Sequence, residues 1–368
     1  MHTFLMILLW GLTGLMLLAA LLPLSKIPHG AIRGLAFPRE QFFFIAVALG
    51  LVMFFWQPGL PGLLGAVALF GAAALQLVYI LKFTPVWRRQ SVEAAPELKK
   101  ATDRHVSLLA SNVKKSNRDY EKLIALIHAR TPDIVMAIEV DEDWIAALKK
   151  PLGDIYPHTV EVPLETGYGL YLLSRLQLTE TEVRELITEG VPSIRTAVTL
   201  RNGEKFRLYV VHPEPPVINH DTAGRDGEIA MVGMEAKEDP LPAIVTGDLN
   251  DVAWSSTTRR FQRLSGLLDP RIGRGFYNTF SATMPWMRWP LDHLFHDPQF
   301  RLLEMARMPK VGSDHFPMWF VLALAESDAV ALDPGNADAE EREETRELIR
   351  EEKSRDREAI GSDWEDED

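Results

Sequence analysis

Two stretches of this chain carry no charged residue, and they constrain its fold more than any other feature. The first runs from Thr3 to Ser25 around a continuous apolar core, Phe4 to Leu22, long enough to cross a bilayer of roughly 30 Å as a helix. The second covers 41 residues from Gln41 to Leu81 and is broken near its middle by Gln57-Pro58-Gly59-Leu60-Pro61-Gly62, so it reads as two spanning helices and a tight hairpin. Soluble core helices keep a polar face, whereas these segments are apolar all round. A secretory signal peptide is the competing reading of the first stretch, but no Lys or Arg precedes the apolar run and no clear small-x-small site follows it. The expected anchor therefore occupies residues 1–89, with spans at about 4–22, 41–57 and 60–81.

Three spans leave the 23–40 loop and everything after Leu81 on one side of the membrane. Both are basic beside the spans: Lys26, Arg33 and Arg39 in the loop, then Lys82, Arg88 and Arg89. The positive-inside rule predicts a multi-pass protein of the inner (plasma) membrane with its soluble part in the cytoplasm. Residues 90–104 are polar, carry Pro96 and Lys99-Lys100, and read as a juxtamembrane linker.

The formal charge of −12 would argue against a polyanionic partner if it were evenly spread. It is confined to the C-terminus: from Glu326 to Asp368 there are 18 acidic and 6 basic residues, and the preceding 325 residues balance. With little beyond Leu348, Ile349 and Ile360 to bury, 326–368 reads as a disordered acidic tail. The absence of cysteine excludes a disulfide scaffold, a cysteine-ligated metal and a thiol nucleophile, and leaves the compartment open.

Residues 105–325 alternate strand and helix signals. Strand-like runs are Val106–Ala110, Ile134–Ile138, Gly169–Leu173, Ile194–Leu200, Phe206–Val211, Ala243–Thr246, Leu291–Phe295 and Pro317–Leu324. Tyr120, Leu123, Ile124 and Ile127 recur at helical spacing until Thr131-Pro132. So many strands with few helices between them predict packed sheets covered by helices rather than one doubly wound sheet.

Four clusters at or near strand ends carry acids, amides or imidazoles: Ser111-Asn112, Glu139, Gly247-Asp248-Leu249-Asn250-Asp251, and Gly312-Ser313-Asp314-His315-Phe316-Pro317. Glu139 ends an apolar run, where an acid is costly unless a positive group meets it. Asp248 and Asn250, two apart, point the same way on extended backbone. Singly, each cluster is an ordinary turn or cap. Together, Glu139, Asp248, Asn250 and Asp314 form a hard-oxygen set suited to Mg²⁺ or Mn²⁺ rather than zinc. A hard ion, a histidine and placed carboxylates are what phosphoester cleavage needs.

In order and spacing these clusters resemble the endonuclease/exonuclease/phosphatase superfamily. The likeness covers about 105–325 through Leu109-Ala110-Ser111-Asn112-Val113, Pro132 to Val140, Tyr168 to Arg175, Val211-His212-Pro213, Gly247-Asp248-Leu249-Asn250, Pro290 to Phe295 and Ser313 to Pro317. The resemblance implies a four-layer α/β sandwich, two packed mixed β-sheets flanked by helices, carried on the three-helix anchor. It implies that Glu139, Asn112, Asp314 and Asp248 serve the metal and that Asp248 with Asn250 orients the attacking water. It implies that His315, oriented by Asp292, contacts the scissile phosphate, with His212 as a general acid. Lys114 departs from the family pattern, which puts a second metal in doubt. Arg225 with Glu228, and Arg274, admit a phosphate contact or a plain salt bridge, and Trp254, Trp286, Trp289 and Trp319 admit base stacking or aromatic packing.

The expected function is that of a membrane-anchored, Mg²⁺- or Mn²⁺-dependent phosphoester hydrolase, first an endonuclease- or exonuclease-type phosphodiesterase. The alternative is a phosphodiesterase or phosphatase of phospholipid head groups, and a catalytically silent membrane adaptor is the reading from another class. Its partners would be the membrane and a nucleic-acid or phospholipid substrate, with no protein partner implied.

Overall fold

The computed structural model describes residues 2–361. Among the described residues eleven strands follow one another: β1 His105–Asn112, β2 Ile134–Ile138, β3 His158–Val162, β4 Leu170–Ser174, β5 Gln177–Glu185, β6 Pro192–Thr199, β7 Lys205–Val210, β8 Ala243–Asp248, β9 Asp292–His296, β10 Phe300–Arg307 and β11 Met318–Leu324. They form a six-stranded sheet ordered β10-β11-β1-β2-β4-β3 and a five-stranded sheet ordered β5-β6-β7-β8-β9. The pairs β1–β2 and β7–β8 are parallel and the rest antiparallel, so both sheets are mixed.

The helices are α1 His2–Leu21, α2 Gly30–Gly34, α3 Arg39–Trp56, α4 Leu60–Ile80, α5 Pro96–Lys100, α6 Tyr120–Arg130, α7 Glu142–Leu152, α8 Ala223–Glu238, α9 Ser256–Ser265 and α10 Ala339–Lys353. The inner faces of the sheets share one core, in which Leu108, Ile134, Met136, Leu172 and Phe320 meet Ile194, Leu208, Ile244 and Leu294. On the outer side of the first sheet, Val135 and Leu173 pack under Leu123 and Ile127 of α6 and Trp144 and Leu148 of α7. On the second, Tyr209 and Val245 pack under Ile229 and Val232 of α8 and Phe261 of α9. The expected four-layer sandwich is therefore present. Strand periodicity of two sends alternate residues of one strand to the two cores, which is why strands buried on both faces read as continuous apolar runs.

The exceptions are β3, β5 and β10, which the apolar-run reading passes over. β3, β5 and β10 are sheet edges, with polar and exposed positions such as those of Thr179 to Arg184.

The three long N-terminal helices α1, α3 and α4 are each long and apolar enough to cross a membrane. Only about a quarter to two fifths of each span is buried, and side chains such as Phe4, Phe44, Phe55 and Val78 are exposed. Three apolar helices with outward apolar faces fit membrane association. Gly65 leaves room for Met53 where α3 and α4 cross, and buried Arg39 donates to Gln76 Oε1 at 2.6 Å.

The N-terminal helical region is packed onto the sandwich. Ala36, Phe37, Ile80 and Phe83 form one buried cluster with Val252, Ala253, Trp254, Ile272 and Leu291, and the Trp254 indole donates to Ala36 O at 2.7 Å. The expected linker is also packed. Gln90 and Ser91 are buried, Gln90 Oε1 accepts from Gln262 Nε2 at 2.9 Å, and Ser91 Oγ lies 2.7 Å from His296 Nε2.

Within the acidic C-terminal stretch, residues 339–353 form the helix α10. Asp338 caps α10, and Glu341 accepts both an Nε and an Nη2 bond from Arg263 on α9. Beyond the helix, Arg357 makes a two-pronged bond to Glu214, 2.6 Å on each arm. The tail is ordered by charge-assisted bonds to distant arginine and glutamate, which a count of its own apolar residues does not register. Residues 362–368 lie outside the described residues.

Candidate active site

The site lies where the ends of β1, β2, β8 and β9 converge with the loop before β11, around a cavity of about 860 Å³. Close backbone packing brings these ends together. A Cβ on Gly169 would sit 1.8 Å from Val140 O, and Gly169 O accepts from the N–H groups of both Glu139 and Val140. Gly247, at φ 148°, passes Val211 so closely that a Cβ would lie 1.9 Å from its carbonyl. Only glycine fits there. Glu139 and Asn250 themselves hold positive φ, 63° and 50°, a strained conformation that recurs where a side chain must be aimed.

Of the residues singled out in the sequence, Asn112, Glu139, His212, Asp248, Asn250, Asp292 and His315 come together. Asn112 Nδ2 donates to Glu139 Oε1 at 2.5 Å and to Asp248 Oδ2 at 3.0 Å, bridging the two carboxylates. His212 Nε2 lies 3.9 Å from Glu139 Oε1. His315 Nδ1 is 2.8 Å from Asp292 Oδ2, and its Nε2 is 3.5 Å from Asp248 Oδ2. Asp248 Oδ1 accepts from Asn250 N at 2.9 Å, while Asn250 Nδ2 donates to Pro213 O at 2.9 Å. Asp314 lines the same cavity, but its carboxylate lies 3.3 Å from Lys114 Nζ.

The electrostatics divide these groups. Burial pushes the Glu139 carboxyl up to about 8, more than the Asn112 bond pulls it down, although 22% of its side chain opens on the cavity. Burial pushes His212 down to about 4. Burial opposes charge on His315 too, but Asp292 and Asp248 outweigh it and raise the imidazole to about 10. Burial likewise works against the Asp248 anion, yet His315, His212 and the Asn250 N–H hold its carboxyl below the usual range. At neutral pH this leaves an anionic Asp248, a cationic His315, a neutral His212 and a protonated Glu139.

A divalent ion fits this donor set. One atom from each of Glu139, His212 and Asp248 falls within a 4.8 Å group, and Asp248, Asp292 and His315 form a second such group. Burial favours the uncharged form of Glu139, and buried His212 Nδ1 has no hydrogen-bond partner among the described residues. Because the raised Glu139 carboxyl favours protonation, its contribution to metal-free stability is full below about 4.5 and is lost as pH rises through about 8. Glu139→Gln should therefore raise the metal-free melting temperature at pH 8 and abolish any stabilisation by added Mg²⁺ or Mn²⁺. A melting curve at pH 8 with and without the metal checks both signs.

Other residues took places that local sequence does not disclose. Arg225 is buried between Asp226 and Asp251, with Nη1 donating to Asn250 O at 2.8 Å, so it braces the Asp248 loop instead of meeting phosphate. Arg271 joins Asp269 to His293 Nδ1 at 2.6 Å, and His293 Nε2 reaches Asp251 O. Of the tryptophans, Trp254 and Trp319 are buried in the packing, Trp289 lines the cavity and Trp286 is exposed. Gly34 and Phe37 from the segment between α1 and α3 and Ile360 and Gly361 from the C-terminal segment also line the cavity.

Residues 109–315 match the family model described as the endonuclease/exonuclease/phosphatase family. The chain belongs to that family. Members are phosphoesterases, and the two-sheet sandwich of this member shares its fold with solved structures. A humanized D. rerio TDP2 carrying 14 mutations aligns at 20% identity and TM-score 0.51, over 60% of this chain and 99% of that one. D. rerio TDP2 complexed with single strand DNA product gives 20% identity and TM-score 0.51, over 59% and 98%. A mannosyl-6-phosphatase of Bacteroides thetaiotaomicron gives 18% identity and TM-score 0.48, over 60% and 100%. A search of curated proteins finds no match.

Proposed function

We propose that this family member is a membrane-anchored phosphodiesterase that uses one hard divalent ion, Mg²⁺ or Mn²⁺. One juxtaposition carries the reading: the carboxyl groups of Glu139 and Asp248 converge with His212, and Asp248 lies 3.5 Å from His315 of the His315–Asp292 dyad. Glu139 and Asp248 would hold the ion, with Asn112 bridging them as a brace through its amide nitrogen. Bound there, the ion would polarise a phosphoryl oxygen and offset its developing charge. Asp314 is engaged by Lys114, which favours a single ion over two.

Asp248, anionic and pinned by the Asn250 N–H, is placed to orient water and accept its proton. His315, protonated and held by Asp292, is placed to stabilise charge on the phosphate and to give a proton to the leaving oxygen. The general-acid role that the resemblance assigns to His212 moves to His315 in this reading, because burial keeps His212 neutral near pH 7. Asp292→Asn removes the group that most strongly supports the imidazolium, so the alkaline limb of the kcat/KM profile should move down from about pH 10, with kcat lowered about 10²–10⁴-fold. A pH–rate series on the variant checks it, and an unmoved alkaline limb would remove His315 from the acid role.

The bounded cavity suits a strand end or one head group better than the flank of a duplex. A phospholipid head group is the second reading, favoured by Gly34 and Phe37 of the anchor loop in the cavity wall. Nucleic-acid binding should weaken steeply with salt, whereas a lipid substrate should require a bilayer or micelle. The basic residues beside the spans favour a cytoplasmic catalytic domain in the inner membrane, and a reporter fused after Gly361 that is active only outside the cytoplasm would reverse that side.

A further inference from the structure

A second cavity, of about 620 Å³, is lined by Pro285 and Arg288 of the loop 281–289 and by the first turn of α3. Glu40 and Gln41 of α3 line it together with Arg274, Arg288 and Arg307, and Gln41 Nε2 donates to Trp286 O at 3.1 Å. The cavity therefore sits at the level where an apolar span begins. The loop beside it is apolar and exposed: Trp286 is 69% exposed, with Met284 and Met287 also exposed. The segment leaving the third span borders the same edge. Gly273 N donates to Lys82 O, a Cβ on Gly273 would meet the Arg88–Arg89 backbone, and Val86 and Trp87 are exposed. Exposed tryptophans flanking apolar spans are the arrangement found at a membrane–water boundary.

The arginines in this cavity are fixed but electrostatically incomplete. The guanidiniums of Arg288 and Arg307 lie over the Phe316 ring, 5.1 and 4.4 Å from its centroid. Arg288 Nε donates to Ser281 O and Arg307 Nη1 to Asn278 O. Glu40 in the same lining accepts from Asn278 Nδ2 at 3.1 Å, and among the described residues neither arginine forms an ion pair. Burial, and then the neighbouring Arg288, push Arg307 below its ordinary value. Planar guanidiniums held at fixed positions match the oxygens of a phosphate, and basic pockets beside spans take anionic head groups.

We infer that Arg288 and Arg307 bind the phosphate of an anionic phospholipid at the membrane surface, with Trp286 and its neighbouring methionines in the interfacial layer. The inference rests on the membrane-anchored reading but not on catalysis. The site is distinct from the active-site cavity, to which Trp289 of the same loop belongs.

The test uses the full chain in mild detergent, with phosphatidylglycerol, phosphatidylcholine or inorganic phosphate added at equal phosphorus. Melting temperature and lipid retained after gel filtration are read. Phosphatidylglycerol should raise the melting temperature by several degrees over phosphatidylcholine and be retained. Arg288→Gln/Arg307→Gln should lose at least half of both effects, while hydrolysis of a soluble phosphodiester is unchanged. The single variants, each against its own baseline, decide the matter if the double variant does not fold. Equal effects of the two lipids, an equal effect of inorganic phosphate, or full phosphatidylglycerol retention by the variants would overturn the inference. Absent hydrolysis with intact lipid selectivity would instead sink the phosphodiesterase reading alone.

Discussion

Asp248→Asn and His315→Gln are each expected to lower kcat by about three to five orders of magnitude. Both replacements keep the volume of the side chain. Asp248→Asn keeps an oxygen for the Asn250 N–H and removes the charge; His315→Gln removes the imidazolium that stands between Asp292 and Asp248. Because these groups act as one unit, the double variant should be hardly worse than the slower single variant. Additive losses would show that the two residues serve separate steps. Far-ultraviolet circular dichroism should match that of the parent protein, which separates lost chemistry from lost fold.

Removing the anchor should have the largest effect on stability. A fragment beginning at Gln90 uncovers Trp254, Ile272 and Leu291, takes away fully buried Phe83 and leaves the Trp254 indole without the Ala36 carbonyl. Deleting a buried phenylalanine alone costs about 3–5 kcal/mol. In a domain of this size the fragment should melt about 10 °C or more below the full chain in detergent. It should also lose Gly34 and Phe37 from the wall of the active-site cavity, so substrate affinity should fall even where the fragment stays folded. Thermal melting and KM of the two forms check these outcomes. An unchanged melting temperature would mean that the 23–38 loop and Phe83 do not pack on the sandwich. The N-terminal helical region is thus expected to be a structural part of the sandwich domain.

How far such features can be seen in advance depends on the range of the interactions that create them. Strands buried on both faces, such as Ile134–Ile138 and Ala243–Asp248, announce themselves as apolar runs, and Thr131 in a left-handed conformation stops α6 at the expected Thr131-Pro132. Edge strands do not: Gln177–Glu185 reads Gln-Leu-Thr-Glu-Thr-Glu-Val-Arg-Glu because much of its surface meets water. In the candidate site, Glu139, Asp248 and His315 stand out in the sequence because an acid or imidazole near a strand end breaks an otherwise apolar pattern, whereas Asp292 is picked out through the family resemblance. Arg225 was visible as a residue but not as a brace, since its partner Asn250 is 25 positions away. The Phe37 wall and the Arg357–Glu214 tie of the C-terminal segment lie further beyond local pattern, joining groups more than 140 positions apart in the second case. Ordering by charge-assisted bonds across such distances is set by the tertiary fold, so a tail that is polar on its face can still be held in place.

The most direct test of the central claim is release of phosphate or nucleotide by the full chain in detergent or nanodiscs. DNA, RNA, phosphoinositides and sphingomyelin would be assayed with Mg²⁺ or Mn²⁺, against chelator and against His315→Gln. The site predicts cleavage of at least one phosphoester class that requires the divalent ion, stops with chelator and falls by at least a thousandfold in the variant. Hydrolysis that survives chelation, or that proceeds equally in His315→Gln, would contradict it.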